Sequence, residues 1–232
     1  MSDIENQIVE EESVSSGKML LSMGSIGLIA GILIVFTFQF TLPYINANEA
    51  AYLEKSIFDV LPGAVTKKVF TINDQKNIIP VTDEEATSFK IYACYSANDS
   101  LIGVAIEARD QGFQDVIRLI YGYSPEQQEI IGMKVLQSTE TPGLGDKIEK
   151  DPEFIANFDN LNVTLTDDKK SLKVPISLVK GQKSNDSQIS AITGATISSR
   201  AVTKMIAKSA ELNIPVIAKN INVLKHSAPQ EN

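Results

Sequence analysis

The sequence predicts an α+β protein, with a single N-terminal transmembrane helix followed by an antiparallel sheet with packed helices. Three observations predict this class. No charged residue lies between Met19 and Tyr44. Short apolar runs separated by polar turns follow between Val69 and Val135, a spacing typical of antiparallel strands. After Thr196, apolar residues recur with the spacing of one helix face.

The composition narrows the classes of function that the chain can have. Its 232 residues carry a formal net charge of −8, which argues against a nucleic-acid partner, because phosphate backbones require a basic surface. Cys94 and His226 are each the sole residue of their type. We therefore predict no disulfide, no Cys/His metal site and no Ser-His-Asp triad. Any redox centre must then be an organic cofactor.

The N-terminal third predicts a tail, a membrane span and a linker. Residues 1–18 are polar and acidic and predict an unstructured tail. Residues 19–44 predict the transmembrane helix, because crossing a bilayer requires about 20 apolar residues. A cleaved signal peptide is the competing interpretation, although the segment is long and its leader is acidic. Residues 45–63 predict a linker helix that ends at the Pro62-Gly63 turn.

Residues 64–214 are expected to form the folded domain. Strands are predicted at residues 69–72, 89–93, 102–108, 116–123 and 129–135, with weaker strand patterns at 162–165 and 172–179. A short helix is predicted from Asp151-Pro152, where proline suits the first turn. The last helix is expected to end near Asn213, because Pro215 follows. Residues 215–232 are expected to be a C-terminal strap or tail, with a possible short strand at 216–224.

The segment Thr193-Gly194-Ala195-Thr196 predicts a tight turn that opens the last helix. Gly194 and Ala195 leave the backbone accessible, and hydroxyl side chains surround them. Free N–H groups and the positive end of the dipole at a helix start suit an anion, above all a phosphate. A simple N-cap by Thr193 or Thr196 is the alternative interpretation.

A second motif, Glu140-Thr141-Pro142-Gly143-Leu144-Gly145-Asp146-Lys147, predicts a rigid turn with little side-chain bulk. The two motifs, in this order and behind one membrane span, resemble the RnfG/NqrC family. That family comprises the G subunit of the Rnf electron-transport complex and the C subunit of the sodium-pumping NADH:quinone reductase. Gly112 and the strand Tyr121-Gly122-Tyr123 agree with the resemblance, which extends to about residue 212.

The resemblance implies a cofactor and a set of residues that bind it. FMN would be covalently bound by a phosphoester to Thr196, in an extracytoplasmic FMN-binding domain at residues 64–214. The flavin ring would lie near the Gly143-Leu144-Gly145 backbone, with its polar edge in reach of Thr141 or Lys147. The expected cofactor-binding residues are Thr196, Thr193, Gly194, Ala195, Ser198, Glu140, Thr141, Gly143, Leu144, Gly145 and Lys147.

The resemblance also implies a location and partners. The chain would cross the cell inner membrane once, with residues 1–18 as a cytoplasmic tail. Its partners would be the lipid bilayer, the other membrane subunits of an Rnf-type complex, and a flavin transferase for maturation.

The implied function is electron transfer within an Rnf-type ion-translocating ferredoxin:NAD oxidoreductase. The chain would not be catalytic alone, because its span carries no charged group for an ion path and no dinucleotide fingerprint follows a strand. Three alternatives stay open. The first is an NqrC-like subunit of a quinone reductase. The second is a flavin shuttle for another extracytoplasmic reductase. The third is a scaffold without flavin, suggested by Ser190 where the family usually carries an acid.

Overall fold

The computed structural model describes residues 16–82 and 89–226. The chain divides into two compact units, residues 1–50 and residues 51–232. Most of the predicted N-terminal tail, residues 1–15, lies outside the described residues, and so does the end of the predicted C-terminal tail, residues 227–232.

The first element is helix α1, Ser16–Asp59, a single helix of 44 residues. It covers the predicted transmembrane segment and most of the predicted linker helix without a break. Pro43 lies inside it, as is tolerated in membrane helices. By length and composition, α1 qualifies as a membrane span, with a mean hydropathy of 2.4 over its most apolar window.

Within residues 16–82 and 89–226, seven strands form one antiparallel sheet in the order β2-β1-β3-β4-β5-β6-β7. Their bounds are β1 Thr66–Ile72, β2 Ile78–Pro80, β3 Ile91–Tyr95, β4 Leu101–Gln111, β5 Val116–Ser124, β6 Glu129–Gln137 and β7 Leu161–Asn162. The sheet confirms the α+β prediction. Strand β2 was not predicted, because it has only three residues and ends in a proline.

Short elements and one long helix follow β6. Their bounds are α2 Lys147–Lys150, α3 Pro152–Ile155, a 3₁₀ turn Ala156–Phe158, β8 Ser177–Val179, β9 Gln188–Ser190, α4 Thr196–Lys219 and α5 Ile221–Lys225. Strands β8 and β9 pair in parallel, a pairing that the sequence did not predict.

The predicted end of the last helix is wrong. Helix α4 continues through Pro215 to Lys219, and the segment expected to be a strand or strap is helical, with α5 at its end. A proline inside a helix costs about 3 kcal/mol. Burial of Ile214, Val216 and Ile217, all at most 6% exposed, offsets this cost.

The sheet is buried on both faces. Helix α4 packs on one face through a stripe that includes Val202, Met205 and Ile206. On the other face lies a smaller cluster that includes Ile57, Val60 and Leu61, from the end of α1 and the residues just after it.

This second contact depends on three glycines in neighbouring strands, Gly103, Gly122 and Gly132, which we call the glycine groove. A Cβ atom added to Gly103 would lie 2.6 Å from Cδ2 of Leu61, and one added to Gly132 would lie 2.9 Å from the carbonyl oxygen of Val60. Only a strand surface without side chains at these positions allows so close an approach.

Candidate functional site

The segment before α4 forms the predicted tight turn. The Ala195 amide donates to the carbonyl oxygen of Ile192 at 3.1 Å, and Gly194 has a φ of +85°. Glycine adopts positive φ at low cost, as the third residue of a type II turn requires. The buried hydroxyl of Ser199 holds the turn, because it accepts from the Ile192 amide at 3.1 Å and donates to the Ala195 carbonyl oxygen at 2.9 Å.

The second motif forms a turn of the same kind. The Leu144 amide donates to the carbonyl oxygen of Thr141 at 3.1 Å, and Gly143 has a φ of +77°. Pro142 occupies the second position, where its fixed φ suits the turn. A Cβ atom at Gly143 or Gly194 would have no neighbour within 4 Å. Both turns therefore expose bare backbone at their tips.

The hydroxyl groups at the start of α4 fall into two classes. Ser198 and Ser199 are buried, and each donates to a protein oxygen. Thr193 is exposed and Thr196 is half-buried. Within residues 16–82 and 89–226, neither threonine hydroxyl has a hydrogen-bond partner. Of these two, only Thr196 lies inside the first turn of the helix.

The N terminus of α4 also lacks a side-chain cap in the described part of the chain, since its N-cap residue is Ala195. The amide groups of the first helical turn cannot bond within the helix, and they carry the positive end of its dipole. The N-cap interpretation of Thr193 and Thr196 therefore does not describe this helix. An uncapped helix start next to a free hydroxyl fits a phosphate ester.

Glu140 connects the second motif to two other segments. It is 5% exposed. Its Oε1 accepts from the amides of Phe113 at 2.7 Å and Gln114 at 3.0 Å, and its Oε2 accepts from the Ser198 hydroxyl at 2.5 Å. The side chain of Gln114 also donates to Oγ1 of Thr141 at 2.8 Å. The turn between β4 and β5, the Glu140–Lys147 loop and the start of α4 therefore meet at one carboxylate.

The other predicted residues of the loop differ in their surroundings. Leu144 is 51% exposed. Gly145 is buried, and a Cβ atom there would lie 2.9 Å from Oγ of Ser198. In the described residues, no hydrogen bond or ion pair involves the ammonium group of Lys147. Asp146 pairs instead with Lys150 at 2.6 Å, and this hydrogen bond holds the pKa of the Asp146 carboxyl below its usual value.

Several residues of this site were not among those predicted. Ser199 holds the first turn, and Phe113 and Gln114 bind Glu140 through their backbone amides. The sequence around Gly112 does indicate a turn between two strands. The hydrogen bonds from this turn to Glu140 use main-chain N–H donors, and no pattern of side chains in the sequence reveals them.

The part of the chain that matches a known family contains the whole of this site. The family model for the FMN-binding domain matches residues 112–211, from the β4–β5 turn to the middle of α4. Both motifs lie within the matched region.

The chain is similar to subunits of membrane oxidoreductase complexes, in sequence to two G subunits and in fold to an NqrC. The G subunit of the ion-translocating oxidoreductase complex of Methanosarcina acetivorans is 30% identical over 185 residues, covering 80% of this chain and 87% of that protein. The G subunit of the proton-translocating ferredoxin:NAD(+) oxidoreductase complex of Clostridium ljungdahlii is 29% identical, covering 79% and 83%. The crystal structure of NqrC from Shewanella oneidensis superposes with a TM-score of 0.60 at 15% identity, covering 78% of this chain and all of that one, which supports the fold.

Proposed function

Because this chain belongs to the family of G subunits of ion-translocating oxidoreductase complexes, we propose that it carries electrons in such a complex through FMN esterified to Thr196. FMN supplies reversible electron transfer, and the protein positions it. The observation that carries the proposal is the unpartnered Thr196 hydroxyl in the uncapped first turn of α4, within the described residues.

Residues of both turns have roles in this proposal. Thr196 supplies the ester oxygen. The free amides of the first helical turn and the positive end of the helix dipole stabilise the phosphate. Gly143 and Gly194 leave backbone open at the turn tips. Leu144 offers an exposed apolar surface for a ring, and the ammonium group of Lys147 is available to its polar edge.

The membrane helix completes the proposal. The apolar part of α1 anchors the chain in a membrane. We place its N-terminus in the cytoplasm and the FMN-binding domain outside, with the inner membrane as the location. Its partners are then the other membrane subunits of the complex and, during maturation, a flavin transferase. Ion translocation belongs to those subunits, because the span carries no charged group.

Two alternatives make different predictions. An NqrC-like role in a quinone reductase has fold similarity at 15% identity as its support, whereas the two named relatives at 29–30% identity are G subunits. The alternative of a scaffold without flavin rests on Ser190, which stands where the family usually carries an acid. The Ser190 hydroxyl donates to the carbonyl oxygen of Gly181 at 2.9 Å. The scaffold predicts no covalent flavin at any residue.

The test is in-gel flavin fluorescence of the denatured full chain, co-expressed with a flavin transferase that is active on another target. Thr196→Val should abolish the fluorescence, because valine has a similar shape and no oxygen for the ester. Thr193→Val is the matched control, since it removes the hydroxyl just before the helix that also has no partner within the described residues. Its denatured band should still be fluorescent, because Thr193 is expected to contact FMN without forming the ester.

Each result has a clear meaning. A fluorescent Thr196→Val variant would place the flavin elsewhere. A dark wild-type band would refute the electron carrier and favour the scaffold.

A further inference from the structure

The carboxylate of Glu140 is the most heavily hydrogen-bonded buried side chain of the site. It accepts three hydrogen bonds from two segments that are distant in the sequence, the Phe113 and Gln114 amides and the Ser198 hydroxyl. With three protein donors and 5% exposure, it has little surface left for a ligand. Its contacts are those of an internal support.

Two glycines make room for this carboxylate, one on each side. A Cβ atom at Gly112 would lie 2.5 Å from Oε1, and a Cβ atom at Gly145 would lie 2.5 Å from Oε2. Neither glycine has a positive φ. Backbone conformation therefore does not require glycine at these positions, whereas the space occupied by Glu140 does.

On these contacts we propose that Glu140 is a positioning residue that holds the first turn of α4 in the geometry in which Thr196 accepts FMN. The inference rests on the proposed attachment at Thr196. Ser198 lies in the same helical turn as Thr196, and its hydroxyl is tied through Glu140 to the β4–β5 turn. Glu140 thereby fixes the start of α4 to the sheet and leaves the Thr196 hydroxyl free.

Substitutions at Glu140 separate this role from simple packing. Glu140→Ala removes the carboxylate that accepts from the Phe113 and Gln114 amides and from the Ser198 hydroxyl. Loss of a hydrogen bond to a charged group shifts a local equilibrium on the order of tenfold. We expect covalent flavin to form at least about tenfold more slowly. Glu140→Gln keeps an oxygen for the two amides and should rescue the rate to within about threefold of wild type.

The experiment follows covalent flavin formation with time. Purified full chain in detergent is incubated with a flavin transferase and a flavin dinucleotide as the FMN donor. The Thr196 oxygen forms the bond to the FMN phosphorus, the diphosphate bond of the donor breaks, and a nucleoside monophosphate and the hydroxyl proton are released. The in-gel fluorescence is measured. Tyr121→Phe is the matched control. It removes the hydrogen bond between the buried Tyr121 hydroxyl and Ser209, farther along the same helix. It should lower thermal stability and leave the rate of flavin attachment unchanged.

A second readout does not involve flavin. In apo protein, amide hydrogen exchange at Phe113 and Gln114 should accelerate in Glu140→Ala and stay slow in Glu140→Gln and Tyr121→Phe. If Glu140→Ala does not fold, Gly145→Ala replaces it. The new methyl group would lie 2.5 Å from Oε2 of Glu140 and 2.9 Å from Oγ of Ser198, so it should break the bond between them and slow attachment by a similar factor.

The outcomes distinguish the two proposals. Equal rates of attachment in wild type and in Glu140→Ala or Gly145→Ala overturn the role of Glu140 and leave the attachment site intact. A rate in Tyr121→Phe as slow as in Glu140→Ala also overturns it, since the effect would then be general destabilisation. A wild-type protein that takes up no flavin refutes the proposed function itself.

Discussion

Among the side chains at the start of α4, hydrogen-bond partners distinguish Thr196 from the two serines that follow it. The hydroxyl groups of Ser198 and Ser199 both donate to buried oxygens, so neither is available for an ester. Thr196 has no such partner within the described residues. A hydroxyl that is already free loses no protein hydrogen bond on esterification, which favours Thr196 as the acceptor.

Because of three buried groups in the sheet, the stability of the folded protein should also change at alkaline pH. Burial raises the pKa of Cys94 from 9.0 to about 12 and the pKa of Tyr95 and Tyr123 from 10.0 to about 12. All three side chains are at most 1% exposed. Each raised pKa contributes stability that is present below the unfolded-state value and is lost as the pH rises towards the folded-state value.

We therefore expect the free energy of unfolding to fall between about pH 9 and pH 12. Cys94 alone would account for a loss of about 4 kcal/mol, at about 1.4 kcal/mol per pKa unit. Urea unfolding across this range measures the loss. Cys94→Ala should flatten the pH dependence, whatever constant offset its small cavity adds. Parallel pH profiles of the two proteins would contradict this assignment.

At the scale of elements, the sheet carries a different helix on each face. Helix α4 presents its apolar stripe to one face. The glycine groove on the other face receives Val60 and Leu61. The Tyr52 hydroxyl adds a hydrogen bond to the Val135 carbonyl oxygen at 3.2 Å, and Lys134 pairs with Asp59. Strand β6 is thus joined to residues 52–61 by polar and apolar contacts.

Filling the glycine groove should detach this contact. A Cβ atom at Gly122 would overlap the carbonyl oxygen of Val60 and lie 2.9 Å from Cδ2 of Leu61. Overpacking of this kind costs about 1–3 kcal/mol. Gly122→Ala should lower the free energy of urea unfolding by at least this amount. Gly181→Ala, at a glycine with positive φ and open space, measures for comparison the cost of backbone strain without steric overlap.

An unchanged free energy of unfolding in Gly122→Ala would mean that the sheet does not depend on this close approach.

Much of the fold could be predicted because its signals are local. Strands β4, β5 and β6 are apolar runs bounded by turns, and Thr196 follows a glycine turn. Strand β9 has three residues in a polar segment and exists through its pairing with β8. The end of α4 was missed because the burial of Ile217 outweighs the local signal of Pro215.

In the site, too, some features could be predicted from the sequence and others could not. Both turns could be predicted, since glycine and proline set their backbone angles locally. The hydrogen bond between Ser198 and Glu140 could not be predicted from the sequence. That bond depends on how far α4 and the loop approach each other, which is a tertiary property.

At the scale of the whole molecule, the end of α1 belongs to the second unit, which begins at Ala51. Ile57, Val60 and Leu61 are at most 2% exposed there. Each such side chain contributes about 1.5–3 kcal/mol on burial. The folded domain therefore begins before the sheet, within the helix that also carries the apolar membrane segment.

Two truncated chains test this boundary. A chain lacking residues 1–50 should be soluble and unfold cooperatively, because it keeps the contacts of the second unit. A chain lacking residues 1–62 should lose at least about 3 kcal/mol of stability or aggregate, since the glycine groove would be uncovered. Thermal unfolding and size-exclusion chromatography measure both effects. Equal stability of the two chains would show that residues 51–62 lie outside the domain.

The glycine groove has a consequence for how the chain is made. Residues 57–61 leave the ribosome directly behind the membrane segment, long before β4, β5 and β6 have been synthesised. The glycine groove that binds them does not yet exist, so their apolar side chains stay exposed until these strands have been synthesised. Contacts between residues so distant in sequence also form slowly. The first part of the domain to be synthesised is therefore among the last to be buried.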